Sequence, residues 1–267
     1  MGLKQRIITG VVAGGAFIAL LVLGGYWFLG LVLLLAIVGY DEYIRMIGLQ
    51  EQMVPRFLGL AATVMLTVPW EAGRVGFGLS AEVYIWLIML ALLSLTVMTK
   101  NKLTIDQAAL VFIGIIYMGF GFHYMVSTRW LATDGLFWTL LTFLCIWASD
   151  AGAYFAGVAF GKHLLWPAIS PKKTVEGSAG GVLLSVAVAV AFSLYNPEAL
   201  ELGRAVLLGA VIAVVGQMGD LIQSAYKRVK GIKDTGAILP GHGGVLDRVD
   251  SWLIVFPFLC LLSMIPQ

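Results

Sequence analysis

Asp220, Gln223, Ser224 and Lys227 fall at i, i+3, i+4 and i+7. That spacing sets a carboxylate, an amide, a hydroxyl and an ammonium on one helical face, and Gln217 extends the stripe by a turn. The stripe runs into Lys227-Arg228-Val229-Lys230-Gly231-Ile232-Lys233, where four basic side chains in seven positions suit a polyanion or anionic lipid head groups. Gly241, Gly243 and Gly244 then flank His242, freeing the backbone to turn its N–H groups onto an anion. Asp247, Asp250 and Ser251 follow at i, i+3 and i+4, an oxygen-rich set of the kind that holds Mg²⁺ together with substrate phosphates. A second stretch, Ser170-Pro171-Lys172-Lys173-Thr174-Val175-Glu176-Gly177, leads two lysines into a glycine-rich helix start, again a place for phosphate. Together these residue types point to polyphosphate chemistry assisted by a divalent cation. Plainer roles compete: Asp150 and Asp220 could each pair with a nearby lysine, and Asp247 or Asp250 could cap a helix.

The elements that carry these groups are apolar. Of 267 residues 60% are hydrophobic and 12% are charged, too few charges to coat a water-soluble domain of this size. That balance excludes a soluble enzyme, a disordered chain and a nucleic-acid binder. The fold expected is all-α, a polytopic transmembrane helical protein. Runs of roughly 20 apolar residues predict about nine spans, near 7–24, 26–44, 56–70, 81–99, 106–127, 134–157, 178–195, 203–226 and 248–265. Asp150 and Asp220 lie late in the sixth and eighth runs. An ionisable group at the centre of a bilayer costs on the order of 2.5–3.5 kcal/mol, so such residues mark function. Cys145 and Cys260 sit inside apolar runs and read as buried hydrophobes rather than a disulfide.

Basic residues orient the spans. With nine crossings, Lys4, Arg6, Arg45, Arg56, Lys100, Lys102, Lys162, Lys172, Lys173, Lys227, Arg228, Lys230, Lys233 and Arg248 fall on one side, and only Arg74, Arg129 and Arg204 on the other. The N-terminus and the chemistry-bearing loops are therefore expected in the cytoplasm and the C-terminus outside. Residues 1–130 read as a membrane scaffold of about five helices. Residues 131–267 read as the catalytic spans and cytoplasmic loops, within one integral domain.

The order Ser224, Lys227, Arg228, then Lys233-Asp234, then Leu239-Pro240-Gly241-His242-Gly243-Gly244, then Asp247-Arg248-Val249-Asp250 resembles the signature of the phosphatidate cytidylyltransferases, or CDP-diacylglycerol synthases. Asp150-Ala151-Gly152-Ala153-Tyr154 and the Ser170–Gly177 stretch are similar to that family too, so the likeness covers about the C-terminal 120 residues. The resemblance implies transfer of CMP from CTP to phosphatidic acid, giving CDP-diacylglycerol and pyrophosphate with Mg²⁺. It also implies a place in the cytoplasmic membrane, with the lipid bilayer and the two substrates as partners and room for a homodimer. On this reading Asp220 and Asp247 converge as metal ligands, with Asp250 and Asp150 as further ligands and space for a second cation. Lys172, Lys173, Lys227 and Arg228 hold phosphates, Ser170 and Ser224 donate hydrogen bonds, and His242, Gly243 and Gly244 cradle the triphosphate, flanked by Lys233 and Arg248. The same chemistry on another lipid phosphate is the nearest alternative. A secondary transporter is a distant one, since its polar groups would sit at the midplane of paired repeats.

Overall fold

The computed structural model describes residues 3–69, 80–236 and 243–266, with side chains from Gly10 onward. Nine helices follow one another among these residues: α1 (Leu3–Leu23), α2 (Gly25–Met46), α3 (Met53–Thr67), α4 (Ala81–Met98), α5 (Ile105–Arg129), α6 (Gly135–Phe160), α7 (Val175–Tyr195), α8 (Leu202–Val229) and α9 (Leu246–Leu261). Six of them, α2 and α4 through α8, have the length and hydropathy of a membrane crossing. Helix α3 has 15 residues and α9 has 16, which at about 1.5 Å per residue falls short of a hydrocarbon layer about 30 Å thick. The protein is thus a helical integral membrane protein.

Among the described residues, a hairpin interrupts the helical pattern between α6 and α7. Strands β1 (Leu164–Trp166) and β2 (Ser170–Thr174) pair antiparallel, with an irregular register. Pro167 and Pro171 explain why this stretch forms no helix, since proline lacks the N–H and clashes with the preceding turn. Lys172 and Lys173 consequently stand on a strand leading into α7.

Local chemistry sets the ends that matter. Thr174 caps α7 by accepting from the Gly177 N–H at 3.1 Å. Glu176 turns back to accept from the N–H groups of Lys162 and His163 and pairs with His163 Nδ1 at 2.6 Å. Helix α8 ends in a Schellman turn. There Ile232 N–H donates to Lys227 and Gly231 N–H to Arg228, and Gly231 takes the left-handed conformation that glycine tolerates. Thr104 and Gln107 form a reciprocal capping box at α5.

The chain divides into two compact units, residues 1–130 with 233–248, and residues 131–232 with 249–267; the division passes through the start of α9. In the first, α2, α3 and α5 pack on one another, with Phe28, Tyr40, Tyr43, Ile115 and Phe122 in the core. In the second, α6 packs along α7 and α7 along α8, and Phe143 meets Trp252 and Phe256 edge to face.

Candidate active site

The second unit gathers the acidic and basic groups of α6, α8, α9 and the hairpin. Asp220 on α8 accepts an ion pair from Lys173 Nζ on β2 at 2.6 Å, and its other oxygen accepts from Ser224 one turn on, at 3.2 Å. Both partners of the ion pair are half-exposed. Asp150 on α6 and Asp250 on α9 lie within electrostatic reach of Asp220, Lys173 acts on Asp150, and Lys227 acts on Asp250. Asp150 is exposed, whereas Asp250 is 8% exposed and accepts from the Ser251 N–H at 2.7 Å. Among the described residues three carboxylates therefore face two ammonium groups, which leaves room for further positive charge.

Helix α8 meets α9 through Gly219, where a Cβ would lie 2.9 Å from the Asp250 carbonyl oxygen. That close approach is what makes Asp220 and Asp250 neighbours. Ser251 Oγ donates to the Gly216 carbonyl at 3.0 Å and ties the same two helices. Gln217 joins three others: its amide donates to Ser149 Oγ on α6 and to the Ser178 carbonyl on α7, and its oxygen accepts from Ser178 Oγ. Arg228 Nε donates to the Ile169 carbonyl and holds the hairpin turn against α8. Ser170 is half-buried at the start of β2, and Lys172 is exposed beside it. Gln223 is fully buried, and among the described residues neither amide atom has a hydrogen-bond partner.

The first unit holds the remainder of the signature. Asp247 Oδ2 accepts from Thr235 N–H at 2.9 Å, Thr235 Oγ1 at 3.0 Å and Gly244 N–H at 3.1 Å. Gly243 has φ +80°, and Lys233 and Arg248 are exposed. His242 lies outside the described residues. Asp220 and Asp247, expected to share a cation, belong to different units. Asp247, in the first turn of α9, reaches back to the Gly244 N–H two residues before the helix. Asp220 takes the plainer role of pairing with a lysine. Among the described residues no group of three or more His, Cys, Asp or Glu side chains is placed to hold a metal ion by itself.

Glu42 on α2 is the residue that sequence reasoning passed over. It is 2% exposed, and its two oxygens accept from Val245 N–H at 3.0 Å, Leu246 N–H at 2.9 Å and Thr235 Oγ1 at 3.3 Å. The signal was present: an acid late in the second apolar run, as Asp150 and Asp220 are late in theirs.

A cluster of carboxylates and lysines on helices of membrane character matches what comparison of the whole chain finds. The profile of the cytidylyltransferase family matches residues 4–265. The chain belongs to the cytidylyltransferase family. Among its relatives, the phosphatidate cytidylyltransferase of Bacillus subtilis (strain 168) is 39% identical over 265 residues, covering 97% of each chain. Those of Staphylococcus haemolyticus (strain JCSC1435) and Staphylococcus aureus (strain COL) are 36% identical over 260 and 262 residues, covering 97% of this chain and 98% of theirs. This cytidylyltransferase is accordingly a membrane enzyme of the transferase class. Its family match spans the N-terminal helices as fully as the C-terminal ones, so the N-terminal half is part of the family's pattern.

Proposed function

We propose that the protein transfers CMP from CTP to phosphatidic acid, releasing pyrophosphate and leaving CDP-diacylglycerol in the bilayer, at a site facing the cytoplasm of the inner membrane. The observation that carries this reading is the Lys173–Asp220 pair beside Asp150 and Asp250. A soluble polyanion and a membrane-bound phosphate both need cationic and metal-compatible groups at the edge of apolar helices, and that cluster supplies them.

A phosphatidate oxygen attacks the α-phosphorus of CTP, a P–O bond forms, and the bond from the α-phosphorus to the bridging oxygen breaks as pyrophosphate departs. The attacking oxygen is already ionised near neutral pH, so the obstacle is repulsion between anions, and positioning with charge neutralisation supplies the catalysis. Lys173 on β2 and Lys227 at the end of α8 neutralise phosphate charge. Lys172, Arg228, Lys233 and Arg248 present exposed positive charge to CTP, with hydrogen bonds from Ser170 and Ser224. The segment of His242, Gly243 and Gly244 is assigned to the triphosphate.

The donor chemistry fits Mg²⁺, with a second cation also accommodated: carboxylate oxygens, one of which already holds an ammonium, and a net negative balance. Asp220 and Asp247 are the carboxylates we assign to it, with Asp150 and Asp250 in support, and substrate phosphates and water completing the ligand set. Bound there, the cation would neutralise phosphate charge at the reacting centre.

Purified protein in lipid–detergent micelles, given CTP and phosphatidic acid, should release pyrophosphate and form CDP-lipid in equal amounts, only when Mg²⁺ is present. Asp220→Asn and Asp247→Asn should each lower turnover by about 10²-fold or more. No product from the unaltered protein under these conditions would sink the reading. Near-normal turnover in both variants would sink the metal assignment alone.

A further inference from the structure

We propose that Glu42 is a positioning residue that fixes Asp247 and the start of α9, acting through Thr235 and the glycine-flanked backbone. The inference rests on the reading above, in which Asp247 serves the bound cation.

The first N–H groups of a helix have no partner inside it. At the entry to α9 two carboxylates take such donors: Gly244 N–H, two residues before the helix, goes to Asp247, while Val245 N–H, just before it, and Leu246 N–H, its first residue, go to Glu42. Thr235 Oγ1 stands between the two acids, 3.0 Å from Asp247 and 3.3 Å from Glu42. A hydroxyl carries one proton, so Thr235 donates to one carboxylate at a time while its N–H stays on Asp247. Glu42 therefore grips the backbone on which Asp247 is mounted and faces the hydroxyl that Asp247 uses.

Two further observations support a built arrangement. Any side chain at Gly236 or Gly244 would overlap the Glu42 carboxylate, and at Gly244 also Thr235 Oγ1. These glycines are thus explained by the acid from α2, which approaches where a Cβ would otherwise be. Among the described residues no basic side chain lies within salt-bridge distance of Glu42. Its hydrogen bonds go to backbone N–H groups and a hydroxyl. A buried carboxylate left without a cation partner is costly, and a hydrophobic residue would fill the space in α2 more cheaply. The alignment it imposes accounts for an acid at this position. Groups that orient a metal-binding carboxylate commonly alter metal affinity or activity by about 10–100-fold when removed.

The test uses the full-length protein and two readouts, Mn²⁺ affinity by electron paramagnetic resonance without nucleotide, and kcat and KM for CTP with phosphatidic acid. Glu42→Gln keeps at most one accepting oxygen and turns an N–H₂ toward the helix N–H groups. It should weaken Mn²⁺ about 10-fold and lower kcat with less change in the KM for CTP. Glu42→Asp should recover part of both. Thr235→Val should follow Glu42→Gln, and Thr235→Ser, which keeps the hydroxyl, should behave as the unaltered protein. Unchanged Mn²⁺ affinity and kcat in folded Glu42→Gln would overturn the inference. If Glu42→Gln fails to fold, unchanged values in Thr235→Val overturn it instead. Because Mn²⁺ binding needs no turnover, an inactive wild type would refute the proposed reaction and still leave the Glu42 effect to be read.

Discussion

Lys173 bears on whether Asp220 is there for structure or for chemistry. The pair is short, but both side chains are partly exposed, 27% for Lys173 and 37% for Asp220. Ion pairs of that exposure contribute at most about 1 kcal/mol to stability. Its loss should therefore barely move the unfolding temperature in detergent. In the proposed reaction Lys173 leaves the carboxylate for a phosphate, so Lys173→Ala should cut turnover by about 10²-fold and Lys173→Arg should restore part of it. A large drop in stability with turnover preserved would return the pair to a structural role. The lysine, the aspartate and their family setting were legible in the sequence, because charged residues in apolar runs are conspicuous. Their pairing was not, since it depends on a hairpin that turns β2 toward α8. Glu42 was visible as an acid in an apolar run, but its role was not. Its partners are backbone N–H groups some 200 positions away in sequence, and backbone donors leave no trace in residue type.

At the level of elements, apolar run length marked out the helices to within a few residues: 203–226 was expected for α8, which spans Leu202–Val229, and 81–99 for α4, which spans Ala81–Met98. The extra turn of α8 is understandable. The apolar run ends before Lys227 and Arg228, yet basic groups in a last helical turn are favourable, and the break waits for Gly231. The hairpin was read as a loop because eight strand residues interrupted by prolines carry too little alternation to recognise. Packing between elements was not legible at all, and Gly219 illustrates why. From sequence it is one small residue among many; in the structure its missing Cβ lets α9 approach the Asp220 turn. Gly219→Ala gains helix propensity of at most about 1 kcal/mol. It also places a methyl carbon 2.9 Å from the Asp250 carbonyl oxygen and the Ser251 Cα, backbone atoms that cannot rotate away, at a cost of about 1–3 kcal/mol. The steric term wins, so thermal unfolding in detergent should show net destabilisation along with reduced turnover. Gly203→Ala on the same helix has nothing within 4 Å and should be neutral or slightly stabilising. Equal behaviour of the two would show that the α8–α9 approach is looser than drawn.

For the molecule as a whole, the open question is which way it sits in the bilayer, and α7 offers a way to ask it. Its 21 residues extend about 31 Å at 1.5 Å per residue, enough to cross the hydrocarbon layer. Lys162, Lys172 and Lys173 precede it, whereas Glu198 and Glu201 follow it, with Arg204 on the other side of that short loop. An excess of lysine before the helix predicts that end in the cytoplasm by the bias that orients membrane proteins, and the proposed site, which needs cytoplasmic CTP, requires the same orientation. Lys162 and Glu198 are both exposed, and both native cysteines are buried, which keeps the labelling background low. Cysteine introduced at Lys162 should react with a membrane-impermeant maleimide only in inverted vesicles, and cysteine at Glu198 only in right-side-out ones. Reaction of both from one side would mean that α7 does not cross. The opposite pattern would put the lysines of β2 outside the cell, away from nucleotide, and would be incompatible with CTP as the donor.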